Sequence, residues 1–325
     1  MASNSINWGI IGAGKIASKF ATDLNTVPNS NLYAIASRNL EKATVFRKEF
    51  NVDIAYGSYE DLVLDSNIDA IYIATPHSFH KAHTILCLNH NKAVLCEKPF
   101  AMNLQEVEDM IQLSKEKDTL LMEALWTNFL PHFIYVQNLL KNKHFGEVIQ
   151  LEADFGFHPE YDKNSRVFDK SVGGGSLLDI GIYPVFAALS TLGKPNSIEA
   201  KAEFFDSGAD SECNIIFQYD TTKAILKSTL LQETKTEAIF TCEHGTIKIN
   251  GRFHEPSTVS LIDKNGHSKL KTFDTTTFGY SYEIKHFNQL IRDGKTESDL
   301  MTFERSKQLI TTLDSIRALI GLDYS

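Results

Sequence analysis

The segment Trp8-Gly9-Ile10-Ile11-Gly12-Ala13-Gly14-Lys15-Ile16-Ala17 constrains this chain more than any other. A short apolar strand runs directly into G-x-G-x-x-A, and helical spacing follows over 16–24. In such a turn the first glycine permits the tight bend. The second lets the backbone approach a pyrophosphate, and the small third residue allows close helix–strand packing. The helix N-terminus then faces the phosphates. This context predicts a dinucleotide site at Gly12, Gly14, Lys15 and Ile16.

The surrounding pattern fits that reading. Apolar strand patterns at 8–11, 32–36, 54–56, 70–74, 93–96 and 120–122 alternate with helical spacing over 16–24, 40–50, 59–64, up to 88, and 104–117. Such alternation predicts a doubly wound parallel sheet. After about residue 123 the pattern changes. A helix is expected over 129–140, then strands at 148–157, 198–205, 213–219, 224–230, 238–242, 246–250 and 259–262, and closing helices at 282–293 and 303–319. Successive strands without helices between them imply a largely antiparallel sheet. The expected class is α/β: an N-terminal Rossmann domain over 1–123, then an α/β domain over 124–325 with a large, mostly antiparallel open sheet.

Bulk properties exclude several functions. A net charge of −9 with no basic run argues against nucleic-acid binding. Cys87, Cys96, Cys213 and Cys242 form no C-x-x-C pair, so neither zinc nor a disulfide framework is indicated, and a reducing cytoplasm is expected. Residues 1–5 show no basic-then-apolar leader, and no uninterrupted apolar run reads as a membrane span. His77, His80 and His83 share helical spacing, but no acidic or cysteine partner joins them at a metal-site spacing.

Two strand ends carry the chemistry. Val94-Leu95-Cys96-Glu97-Lys98-Pro99 places Lys98 at the carboxyl end of a buried strand, where an open parallel sheet binds its ligands. An ammonium there is costly to bury unless paired or used. The second strand ends in Ser37-Arg38-Asn39, with no carboxylate to grip ribose hydroxyls or repel a 2′-phosphate. Ser37 can donate to that phosphate, and Arg38 can pair with it and stack on adenine. The expected cofactor is NADP, with NAD as the alternative.

The fingerprint and Glu97-Lys98-Pro99 resemble the glucose–fructose oxidoreductase / inositol dehydrogenase (Gfo/Idh/MocA) family. Gly173-Gly174-Gly175-Ser176-Leu177-Leu178-Asp179-Ile180-Gly181-Ile182-Tyr183-Pro184 is similar to its glycine-run and Asp-x-Gly-x-His/Tyr signature. Glu123-Ala124-Leu125-Trp126-Thr127 resembles the subgroup of dimeric dihydrodiol dehydrogenases and NADP-dependent D-xylose dehydrogenases. Asn128 departs from it, standing where close relatives usually have arginine.

The resemblance implies oxidation of a secondary alcohol on a sugar, polyol or cyclic trans-diol, or the reverse reduction. It also implies a homodimer or tetramer formed through the open sheet face. Thr75, Pro76, His77 and Glu97 would join the cofactor site. Tyr183 would take the hydroxyl proton, its pKa lowered by the Lys98 ammonium. Asp179 would orient Lys98 or relay protons, or cap a helix beginning near Gly181. Arg166 would anchor a substrate oxygen, or pair with Asp169 or Asp162. Trp126 would wall the pocket or pack in the core. Two further readings remain: a non-catalytic dinucleotide-sensing regulator of the same fold, and an NAD-dependent glycosidic hydrolase.

Overall fold

The computed structural model describes residues 5–162 and 165–324. The leader reading of residues 1–4, and Asn164 beside Arg166, lie outside the described residues. The chain divides into two units: Met1–Trp126 with Thr276–Lys307, and Thr127–Thr275 with Gln308–Ser325.

The first unit holds β1 (Ile6–Ile11), α1 (Lys15–Leu24), β2 (Ser30–Ala36), α2 (Leu40–Phe50), β3 (Ile54–Tyr56), α3 (Tyr59–Leu64), β4 (Ala70–Ile73), α4 (His80–Asn89), β5 (Ala93–Glu97), α5 (Leu104–Glu116) and β6 (Leu121–Ala124). The strands form one parallel sheet in the order β3-β2-β1-β4-β5-β6. Every residue of the central strands β4 and β5 is buried, as expected of strands covered on both faces, and so is every residue of the edge strand β6. The order reverses between β1 and β4, and ligands bind at the carboxyl ends beside such a switch point.

The second unit opens with α6 (Pro131–Lys141) and β7 (Val148–Gly156). Next come α7 (Ile182–Leu192), β8 (Ser197–Phe204), β9 (Asp210–Gln218), β10 (Lys223–Thr229), β11 (Ala238–Cys242), β12 (Gly245–Ile249), β13 (Val259–Asp263) and β14 (Ser268–Lys271). Its sheet runs β14-β13-β12-β11-β7-β10-β9-β8. All neighbours are antiparallel except β7 and β10, which the chain reaches by a crossover through α7. The short, exposed β14 carries no burial pattern and is absent from the sequence expectation. Leu151, Ala153, Ile215, Phe217, Ala224, Leu226 and Phe240 are buried. Their alternation with outward-facing residues is that of a sheet covered on one side. Residues 170–192 are long and apolar enough to cross a bilayer, unlike the sequence reading; 94% of the most apolar window is buried inside the protein, as in a core helix.

Residues 276–307 belong with the first unit, whereas the sequence reading groups them with 124–325. The cause is a set of polar ties to α8 (Tyr280–Arg292). The carboxylate of Asp23, on α1, accepts from the backbone N–H groups of Phe278 (2.9 Å), Gly279 (2.9 Å) and Ser281 (3.1 Å). It caps α8 from a residue distant in sequence. Further along α8, Asn288 accepts from Trp8 Nε1 (3.1 Å) and donates to Ser30 Oγ (2.7 Å). The last helix, α9 (Phe303–Ile320), contains the unit boundary.

Replacing Asp23 by alanine strands three backbone donors at a site with no solvent exposure. Asp23→Ala is expected to lower unfolding stability by about 3 kcal/mol, measured by urea denaturation.

Candidate active site

The candidate side chains fall into two sets, one in each unit. In the first, Gly12 ends β1 with φ of +100°. A Cβ there would lie 2.8 Å from the Ala74 carbonyl oxygen, so the turn after β1 packs against the end of β4 only because Gly12 has none. Gly14 differs. Its backbone is extended, it precedes α1 without a side-chain cap, and a Cβ would meet nothing within 4 Å. Lys15 and Ile16 begin α1, and Ala17 is fully buried beneath it. The N-terminal N–H groups of α1 thus adjoin open space, as a pyrophosphate cradle requires.

Arg38 sits beyond β2 with its guanidinium 5.5 Å from the centre of the Phe79 ring. The same group faces Tyr59 and His83. Burial first, then the Arg38 charge, pushes His83 down to about 4, so the ring is neutral near pH 7. Ser37 Oγ accepts from Asn39 N–H (3.2 Å), and Asn39 caps α2. Thr75 follows β4, its hydroxyl 3.0 Å from His83 Nδ1, and Pro76 leads into a short turn at His77–Phe79. His77 is buried.

At the end of β5, Glu97 is buried and takes the Tyr72 hydroxyl on Oε1. Its Oε2 accepts from the Lys98 backbone N–H at 3.1 Å. Lys98 is partly exposed and is joined to Pro99 by a cis peptide bond. Trp126 is buried and stacks on Tyr280, with ring centres 4.4 Å apart. Sequence reasoning missed Tyr280 because it lies far down the chain, on the returning α8. The cofactor residues named from sequence therefore gather at the carboxyl ends of β1, β2, β4 and β5.

In the second unit, one wide helical turn (Leu177–Gly181) precedes α7. Pro184 lacks the N–H that would bond the Ile180 carbonyl, which favours the wider turn. Such turns recur at functional sites. Asp179 lies inside this turn, so it does not cap a helix at Gly181. Its Oδ1 instead accepts from Arg166 Nη2 at 3.2 Å. The ion pair of Arg166 is thus to Asp179 rather than to Asp169; Asp169 caps Ser171. Tyr183 is buried, one helical turn beyond Asp179. Its ring centre lies 5.8 Å from Phe155 and 4.8 Å from His254. Thr127 Oγ1 donates to the His254 carbonyl at 2.7 Å. Neither Phe155 nor His254 carried a sequence signal: one reads as a strand residue, the other lies in an irregular segment.

The glycines around this turn are steric requirements. A Cβ on Gly174 would collide with the Arg166 carbonyl oxygen, and one on Gly175 with Asp210 Oδ1. At Gly181 a Cβ would sit 2.8 Å from Ser228 Oγ on β10. Asp210 Oδ2 accepts from Ser176 Oγ and Leu177 N–H, both at 2.7 Å. Burial nevertheless pushes its carboxyl up to about 6.

Residues 6–125 match the family described as an oxidoreductase family with an NAD-binding Rossmann fold, and residues 133–248 match the GFO/IDH/MocA C-terminal domain. The chain is 35% identical over 328 residues to a trans-1,2-dihydrobenzene-1,2-diol dehydrogenase of Xenopus tropicalis, covering 98% of each chain. It is 32% identical over 326 residues to the scyllo-inositol 2-dehydrogenase (NADP(+)) IolU of Bacillus subtilis, again over 98% of each. A crystal structure of KijD10, a 3-ketoreductase from Actinomadura kijaniata with NADP and TDP-benzene, superposes with a TM-score of 0.87 at 25% identity, covering 97% of this chain and 98% of the other.

The two loop glycines should respond differently to alanine. Gly12→Ala strains a left-handed backbone and is expected to cost about 2 kcal/mol. Gly14→Ala should leave the unfolding midpoint nearly unchanged while weakening dinucleotide binding. Thermal denaturation and cofactor titration of the two variants check this.

Proposed function

This chain belongs to the GFO/IDH/MocA oxidoreductase family, and we propose that it transfers a hydride between NADP and a secondary alcohol or carbonyl of a sugar, polyol or cyclic trans-diol. It is an NAD(P)-dependent dehydrogenase acting on CH–OH groups. Relatives that match along nearly the whole chain are dehydrogenases, so the regulatory reading is dropped. The observation that carries the proposal lies within one parallel sheet. The open cradle at Gly14 follows β1, and Lys98 stands at the end of β5.

Gly12, Gly14, Lys15 and Ile16 would hold the pyrophosphate, and Ser37 and Arg38 the 2′-phosphate. Thr75, Pro76, His77 and Glu97 would line the nicotinamide side. When bound, NADP supplies the hydride acceptor. An ordinary tyrosine is a poor base near neutral pH, and an adjacent ammonium favours its phenolate. In this reading Lys98 provides that charge, and Tyr183 takes the alcohol proton. Asp179 holds Arg166 toward a substrate oxygen, and Trp126 forms an apolar wall. Arg166 and Asp179 favour a polyhydroxylated ring, whereas Trp126 and Phe155 suit a cyclic diol.

A homodimer through the open face of the second sheet fits the isoleucines there. Ile225 pairs across β10 and β9 with Ile216, and Ile239 lies on the far side of Glu152. A reducing, cytoplasmic setting fits four cysteines that are all buried and unpaired.

The test is NADP reduction across trans-dihydrodiols, inositols and aldoses, with NAD in parallel. Lys98→Ala and Tyr183→Phe should each lower kcat by at least about 100-fold. Arg38→Ala should raise the KM for NADP about tenfold and leave that for NAD little changed. Tight NADP binding without turnover on any of these substrates would overturn the catalytic reading.

A further inference from the structure

The ladder between β4 and β5 ends at Ile73–Cys96, and that between β5 and β6 at Glu97–Ala124. Beyond those rungs no strand pairing holds the turn Lys98-Pro99-Phe100. Besides Glu97 and Cys96 of β5 itself, two buried side chains from its neighbours hold it. On the β4 side, His80 opens α4 with no solvent exposure. Its Nδ1 lies 2.8 Å from the Pro99 carbonyl oxygen, and its Nε2 lies 2.9 Å from that of Thr75. Burial pushes His80 down to about 4, so the ring is neutral and donates from one nitrogen only; with the proton on Nδ1 it bonds the Pro99 carbonyl and lies against that of Thr75. On the β6 side, Glu123 is 2% exposed, and its Oε1 accepts from the Phe100 backbone N–H at 3.1 Å.

We propose that His80 and Glu123 are positioning residues for Lys98, clamping the Lys98-Pro99-Phe100 turn from both sides, His80 from the start of α4 and Glu123 from β6. The proposal rests on Lys98 being catalytic. Both contacts are to backbone atoms flanking Lys98, so they fix where its side chain begins without touching its amine. Removing either partner leaves a buried backbone group unpaired, which the turn relieves by moving. A displacement of about 1 Å at a reacting group can cost on the order of 100-fold in rate. The titratable groups facing the clamp are few. His80 faces Lys98, His83 and the His77 ring, 5.7 Å away. Glu123 faces Lys98, Glu97 and the Ser306 hydroxyl. Burial pushes the Glu123 carboxyl up to about 7, yet the carbonyl oxygen of the protonated acid still accepts from Phe100. For this reason an amide should substitute for it.

The test uses the full chain and two readouts. The first is competitive labelling of lysines by acetic anhydride in the cofactor-free protein, quantified by peptide mass spectrometry. The second is steady-state kinetics with NADP and the substrate turned over fastest among trans-1,2-dihydrobenzene-1,2-diol, scyllo-inositol and D-xylose. His80→Leu and Glu123→Leu are expected to change Lys98 labelling by about threefold or more while Lys19 is unaffected. They should also lower kcat by about 10- to 100-fold with substrate KM within about threefold. Glu123→Gln, which keeps an acceptor for Phe100, and His80→Asn, which keeps a donor for Pro99, should recover most of both losses. Unchanged Lys98 labelling and kcat in the folded leucine variants would overturn the clamp. So would labelling that rises at every lysine alike, or no recovery in the amide variants. Lys98→Ala separates the two readings: if it retains full activity, the catalytic assignment fails, whereas the labelling result still decides whether the clamp exists.

Discussion

The carboxylate of Asp23 is the contact on which the first unit's composition depends. It lies on α1, directly after the glycine turn, and collects three backbone donors from the start of α8. A helix N-terminus buried without acceptors is unfavourable, and a carboxylate there also complements the helix dipole. This single group makes the return of a distant segment favourable. Once α8 is seated, Trp8 and Phe287 pack with ring centres 5.2 Å apart, and Phe20 stacks on Tyr72 at 3.7 Å. The β1 strand, the helix that bears the cradle and the returning helix then share one core, so the geometry of Gly12 and Gly14 is set by residues from both ends of the chain.

Much of this was legible because it follows from local rules. Fully apolar strands flanked by amphipathic helices specify a parallel sheet, and glycine spacing specifies the turn. The strands of the second unit could be read from alternation and turn residues. What could not be read has a common physical origin, namely contacts made across large sequence separations. Nothing near residue 280 signals that its backbone amides will meet Asp23, so 276–307 read as part of the second domain. Asp179 read equally as a cap or a site residue, because helix-start chemistry looks the same for both. The wide turn, which depends on Pro184 and on close packing at Gly181, decides against the cap. Arg166 had two acidic neighbours in sequence, yet pairs with Asp179.

The three histidines make the same point. Their spacing suggested one helical face. In the structure they divide: His80 lies between two carbonyls, His83 meets Thr75 near Arg38, and His77 lies buried in the turn between β4 and α4. A common helical face does not impose a common partner when the helix begins within the cluster, because the residues before and after its first turn follow different backbone paths.

The buried acids of the first unit differ in how their charge is handled. Glu97, Glu123 and Glu283 are all buried in the first unit. Burial raises Glu123 to about 7 and Glu283 well above the carboxylate range, with Glu97 and Asp23 adding to the shift of Glu283. Neither oxygen of Glu283 has a hydrogen-bond partner among the described residues, as expected of a group with no cation nearby to hold its charge. Glu97 differs because the Tyr72 hydroxyl and the Lys98 amide each donate to it. The low-dielectric interior thus keeps Glu283 neutral, whereas Glu97, the residue adjoining the lysine, has two donors.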